Sequence, residues 1–86
     1  MLFIIIIRDN EIEEINENSF EELDDLVVLL LTGNKIRIVR SAAFTRMPKL
    51  SVLFLNKNEL QTIQPGAFDN LKHLRKLYLY ENKVIH

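Results

Sequence analysis

At 86 residues there is room for one domain, and a chain that short buries only about 60–65% of its unfolded surface, so its core must be thin. An apolar content of 48% with 27% charged residues excludes a disordered chain, and a formal net charge of −1 argues against a general nucleic-acid binder. There is no Cys, hence no disulfide framework and no thiolate zinc site; His73 and His86 cannot alone make a structural metal centre, and no cofactor is expected.

The chain opens on an apolar run, Met1 to Ile7. It is far shorter than the ~20 residues of a membrane span. It lacks the basic start and cleavage site of a signal peptide, and Arg8-Asp9-Asn10-Glu11 follows at once. It reads as a strand. Asn10 then begins a series: Asn10, Asn34, Asn58 and Asn82 stand 24 residues apart, as do Leu2, Leu26, Leu50 and Leu74. The period divides a single domain, 1–86, into units 2–25, 26–49, 50–73 and a partial 74–86. Each unit obeys LxxLxLxxNxL, with Ile or Val allowed for Leu. Unit one carries Leu2, Ile5, Ile7, Asn10 and Ile12; unit two carries Leu26, Leu29, Leu31, Asn34 and Ile36. Unit three has Leu50, Leu53, Leu55, Asn58 and Leu60, and unit four has Leu74, Leu77, Leu79, Asn82 and Val84. The second halves agree as well, in Ile15, Val39 and Ile63, then Phe20, Phe44 and Phe68, then Leu23, Met47 and Leu71. Read locally, 19–32 imitates a helix, with Ser19 and Glu22 as a capping box and Phe20, Leu23, Val27 and Leu30 at helical spacing. That reading leaves the period unexplained, so the period decides.

On these motifs the whole chain resembles the leucine-rich repeat family. The 24-residue step with Ser19-Phe20, Ala43-Phe44 and Ala67-Phe68 is similar to the repeat class of Toll-like receptors, Slit-type guidance proteins and variable lymphocyte receptors. Those ectodomains usually carry Cys-rich caps, and this chain looks like an uncapped internal segment. The resemblance implies an α/β-class, right-handed solenoid with a parallel concave β-sheet and short turns or 3-10 segments on the convex side. It also implies an extracellular or cell-surface setting, although a Cys-free chain is equally at home in the cytosol.

The residues supply the mechanism. Alternation along a strand points Leu29 and Leu31 inward and Leu30 outward. The asparagine sits where the chain leaves the strand, and its amide is expected to pair with backbone groups of its own and the next turn. Asn10, Asn34 and Asn58 are therefore read as structural. Phe20, Phe44 and Phe68 form a stacked convex spine, and Pro48 and Pro65-Gly66 punctuate loops on that side.

Charge is segregated. Residues 1–25 hold nine acids against Arg8, whereas unit two holds Lys35, Arg37, Arg40, Arg46 and Lys49 with no acid. A basic cluster suggests an anionic partner, but the 24-residue shift aligns Glu11 with Lys35, Glu13 with Arg37, Glu22 with Arg46 and Asp25 with Lys49. Cross-repeat ion pairs are the expected outcome. Arg40 aligns with Asn16, which makes it the candidate for an external anion contact.

Nothing resembles a catalytic constellation. There is no GxSxG, no glycine-rich phosphate loop, no HExxH and no Cys nucleophile, and no enzymatic activity is expected. No N-x-S/T acceptor for glycosylation occurs. Function is expected instead on the outward strand positions of the concave sheet, where a repeat scaffold varies without touching its core. The third positions read Ile4, Val28, Val52 and Lys76; the fifth, Ile6, Leu30, Phe54 and Tyr78. The seventh read Arg8, Thr32, Asn56 and Tyr80, and the eighth Asp9, Gly33, Lys57 and Glu81. An apolar patch ending in tyrosines is what protein interfaces use. The expected anchors are Ile6, Leu30, Phe54, Tyr78 and Tyr80, with Arg8, Asn56 and Lys76 around them and a protein as the partner. The alternatives are a polyanion (nucleic acid or a sulfated glycan) bound through unit two, or a structural segment without a ligand. Self-association is expected too. Two pairings are open, concave face to concave face or end to end, and the favoured one is a homodimer or higher assembly burying Ile4, Ile6, Leu30 and Phe54.

Overall fold

Each unit makes a strand only three residues long, centred on the first Leu or Ile of its LxL triplet, because the turn residues that follow interrupt the alternation. The computed structural model describes residues 3–16, 19–20 and 23–82. Its elements are β1 (Ile4–Ile6), β2 (Glu14–Ile15), β3 (Val28–Leu30), β4 (Ile38–Val39), β5 (Val52–Phe54), β6 (Thr62–Ile63) and β7 (Lys76–Tyr78). Strands β1, β3, β5 and β7 form one parallel sheet in that order. Ile4 pairs with Val28, Val28 with Val52, and Val52 with Lys76, so the register is the sequence period itself. A second parallel ladder, β2-β4-β6, follows the asparagine turn. The sequence pattern did not announce it, since a two-residue strand has no visible alternation. The segment 19–32 is not helical among its described residues, and Val28–Leu30 lies in the sheet. Outside the strands the described chain runs in bends and turns.

The inward row of each unit builds one continuous core. Leu26, Leu29, Leu31, Ile36 and Val39 of unit two, and Leu50, Leu53, Leu55 and Leu60 of unit three, are fully buried. Ile5, Ile7, Ile12 and Phe20 of unit one, and Leu77 and Leu79 of unit four, pack on that core but remain half-buried. On the convex side Phe20, Phe44 and Phe68 stack with centroids 5.8 and 5.7 Å apart. Burial therefore peaks in the middle of the stack, as expected when each unit covers its face only against its neighbours.

The asparagines form a ladder through the turn. Asn58 Nδ2 donates to the carbonyls of Leu55 and Asn56 in its own unit at 3.0 and 3.1 Å, and to Leu31 of the unit before at 3.0 Å. Its Oδ1 accepts from the Ile36 N–H at 3.2 Å. Asn34 repeats the scheme on Ile7 and Leu31, and Asn82 on Leu55 and Leu79. The amide thus reaches back to the preceding unit, not forward to the next as the sequence led us to expect. The residue just before each asparagine takes a left-handed backbone, with φ of 58° at Asp9, 76° at Gly33, 56° at Lys57 and 58° at Glu81. This step swings the asparagine inward. At Gly33 an added Cβ would also run into the Asp9 carboxylate.

A second left-handed row holds Ala42 (φ 57°) and its equivalent Gly66 (φ 79°). An L-residue with a Cβ pays about 1–2 kcal/mol there, against roughly 0.5–1 kcal/mol of extra chain entropy for glycine. Ala42→Gly is therefore expected to stabilise the fold by about 0.5–1 kcal/mol. Urea unfolding checks it; a lowered midpoint would contradict the assigned backbone.

Candidate functional site

The outward residues of the large sheet form one surface. Ile4 and Ile6 are 55% and 59% exposed, and Val28, Leu30, Val52 and Phe54 are half-buried beside them. The 24-residue register sets equivalent side chains next to each other, and the aromatic ones use it to stack. Phe54 and Tyr78 lie 4.5 Å apart at an interplanar angle of 9°. Tyr80 meets Tyr78 edge-on at 6.5 Å and 89°, and is itself 55% exposed. Arg8 and Lys76, both exposed, stand at opposite edges of this strip. The sheet so brings together Ile6, Leu30, Phe54, Tyr78 and Tyr80 in one continuous apolar and aromatic band.

Asn56 does not join them. It is only 3% exposed, and its Oδ1 accepts from the Thr32 hydroxyl at 2.9 Å. A side chain drawn into that cross-strand bond lies beneath the surface. It supports the band and does not face a partner. Phe3, just before β1, is also 54% exposed. Its second-position equivalents are Val27, Ser51 and Arg75, a row too mixed to have drawn notice.

Electrostatics separates this face from the basic unit. Lys35 pairs with Glu11 at 4.0 Å, Arg37 with Glu13 at 3.7 Å and Lys49 with Asp25 at 3.4 Å. Glu22, the expected partner of Arg46, lies outside the described residues. Arg40 needs correction: it is not left to an external anion, because its Nε bonds Glu14 Oε1 at 3.2 Å. Glu14 is two residues short of the strict repeat equivalent, and both side chains are long enough to cover the offset. Each of these pairs is largely solvated and worth only ~0–1 kcal/mol. Their effect on the surface is larger than on stability, since four of the five cations of unit two face carboxylates. Raising salt is expected to move the unfolding free energy by less than about 1 kcal/mol per pair for the same reason; a larger loss in urea titrations at high salt would give these pairs a structural weight the geometry denies them.

Among the described residues no cluster of His, Asp or Glu is arranged to hold a metal ion, and no helix is long and apolar enough to cross a membrane. What the band offers is contact area: aliphatic at β1 and β3, aromatic at β5 and β7, with cations at its edges.

The Leucine rich repeat family profile matches residues 26–84. A search of curated proteins found no match. Among solved structures, the chain is similar to TLR13 as seen in the crystal structure of the TLR13-ssRNA13 complex, with a TM-score of 0.84 and 34% identity. That likeness covers 88% of this chain but 11% of the other, so the chain spans about a ninth of the protein it matches. The profile takes in well over half of the sequence, and beneath it lies a parallel coil in step with its 24-residue motif: the chain belongs to the leucine-rich repeat family.

Proposed function

We propose that this chain is a non-catalytic recognition module that docks a protein partner on its concave sheet, in an extracellular or cell-surface ectodomain. The observation that carries the reading is the continuous band from Ile4 and Ile6 to the Phe54–Tyr78 stack and Tyr80. Monomeric proteins rarely leave such a patch uncovered. Its tyrosines supply large, rigid contact area of the kind that dominates interface energetics. The ectodomain setting rests on family likeness, including that to TLR13.

A second reading is single-stranded RNA, which the TLR13-ssRNA13 complex brings forward. Bases stack on aromatic rings, and Lys57 and Lys76 stand near enough in sequence register to neutralise phosphates. Against it, the densest cationic region is already engaged by unit-one acids. Photo-crosslinking separates the two. A photoreactive residue at Ile6 or Tyr80 is expected to capture polypeptide, with capture lost in Phe54→Ala and absent when the probe sits at the exposed convex Asp69. An adduct removed by ribonuclease and weakened steeply by salt would transfer the function to RNA. Capture from Asp69 alone would move it off the concave face.

A further inference from the structure

Charge around the concave band changes sign along its length. Beside the aliphatic half, exposed Asp9 and Asp24 outnumber Arg8, and Asp25 takes up Lys49 at 3.4 Å. Beside the aromatic half the balance reverses. Lys57 follows the Phe54 strand, Lys72 lies in the turn before β7, and Arg75 and Lys76 lead into Tyr78. All four are exposed, against the single acid Glu81. The register sets Lys76 beside Val52 and Tyr78 beside Phe54, so cations and ring stack share two adjacent strands. The backbone fixes Arg75 and Lys76 there, since both N–H groups donate to the Ser51 carbonyl, at 2.8 and 3.1 Å. In unit two, four cations face carboxylates. Among the described residues Lys57, Lys72, Arg75 and Lys76 form no ion pair. Single exposed cations are ordinary; four of one sign around an aromatic surface create a field that selects what approaches it.

Given docking on the concave band, as proposed above, we infer that the protein partner is acidic where it crosses units three and four: an apolar segment flanked by Asp or Glu side chains that meet Lys57, Lys72, Arg75 and Lys76. Its apolar side chains pack on the Phe54–Tyr78 stack while the carboxylates take the cations around it. Direction follows from the contrast between the halves. A partner laid the other way sets its carboxylates against Asp9 and Asp24, and like charges facing each other across an interface suppress the wrong arrangement. Charges at the rim act chiefly on encounter rate and register, and the apolar contact holds the complex. The same contrast disfavours a nucleic-acid strand. Its charge repeats at every nucleotide, so a strand running along the band leaves the cations and passes the acids of unit one. A protein places its carboxylates in one patch, which is what the cations of units three and four match.

Random peptides displayed on phage and selected on the immobilised chain supply the probe. Enriched sequences are expected to combine apolar residues with Asp and Glu. Their affinity is expected to fall at least about tenfold when Lys57→Glu, Lys72→Glu, Arg75→Glu and Lys76→Glu are combined, and selection on that reversed chain is expected to favour Lys and Arg instead. Should circular dichroism show the reversed chain unfolded, the four Gln substitutions at the same positions serve in its place, expected to abolish the preference for acid. Tyr80→Ala is expected to weaken the selected peptides about tenfold at any salt concentration, whereas raising salt lessens only the preference for acid. Apolar peptides that depend on Tyr80 but carry no excess of Asp and Glu overturn the acidic partner and leave docking on the band standing. Acidic peptides that bind Tyr80→Ala as tightly as the parent chain overturn both, as does a selection that enriches nothing. An oligouridylate probe that displaces the selected peptides, with affinity falling steeply with salt, overturns the acidic protein in favour of nucleic acid.

Discussion

Asn58→Ala is expected to cost about 3–5 kcal/mol. The side chain is 7% exposed, and removing it strips the carbonyls of Leu31, Leu55 and Asn56 of a donor and the Ile36 N–H of its acceptor. A buried polar group left without a partner loses about 1–3 kcal/mol, and water reaches this turn poorly because adjacent units are stacked over it. A domain of this size has roughly 4–13 kcal/mol in all, so the variant is expected to be largely unfolded near 37 °C. Asn58→Asp sharpens the test. It keeps the shape and the acceptor, but turns both donors into a carboxylate facing carbonyls, and is expected to be at least as damaging. Asn10→Ala bounds the other side: Asn10 is exposed and donates to Arg8 C=O alone among the described carbonyls, so about 1 kcal/mol or less is expected. Urea unfolding followed by far-ultraviolet circular dichroism measures all three. An Asn58→Asp variant as stable as the parent would remove the ladder from the account of stability.

Phe44→Ala is expected to be the costliest apolar truncation, at about 3–5 kcal/mol. Its ring is fully buried and sandwiched between Phe20 and Phe68 at 5.8 and 5.7 Å. Its removal leaves a space between two aromatic rings that stacked on it from either side. Phe20→Ala and Phe68→Ala are expected to cost less, since each ring stacks on one described partner and is only half-buried. A double-mutant cycle between Phe20 and Phe44 is expected to return a coupling of about 0.5–1.5 kcal/mol. Equal losses at all three positions would mean that the spine acts as three separate side chains.

The contrast between these residues and others explains what was legible in the sequence. A 24-residue period states which residues become neighbours, so every feature made of identical or complementary side chains at that step could be read. Phe20, Phe44 and Phe68 are one case; Glu11 with Lys35 and Asp25 with Lys49 are another. The period does not state how a side chain leans. Glu14 reaches across a two-residue offset to Arg40, and Asn56 turns beneath the surface toward Thr32. Nor does it reveal backbone conformation where the residue type is unspecific. Asp9, Lys57 and Glu81 share a left-handed step with Gly33, and only the glycine hinted at it. The β2-β4-β6 ladder stayed hidden because its strands are two residues long, too short for any pattern. The concave band was legible as rows of residue types; the Phe54–Tyr78 stack within it required coordinates.

Recognition through that band is most directly tested by the affinity of the captured protein partner for Tyr78→Ala and Tyr80→Ala variants, titrated calorimetrically beside the parent chain. Tyr80 is more than half exposed, so its loss should leave the unfolding midpoint nearly unchanged and report on binding alone. The concave reading predicts affinity at least about tenfold weaker in each variant, about 1.4 kcal/mol or more, with little dependence on salt. Parent-like affinity in both variants would contradict it.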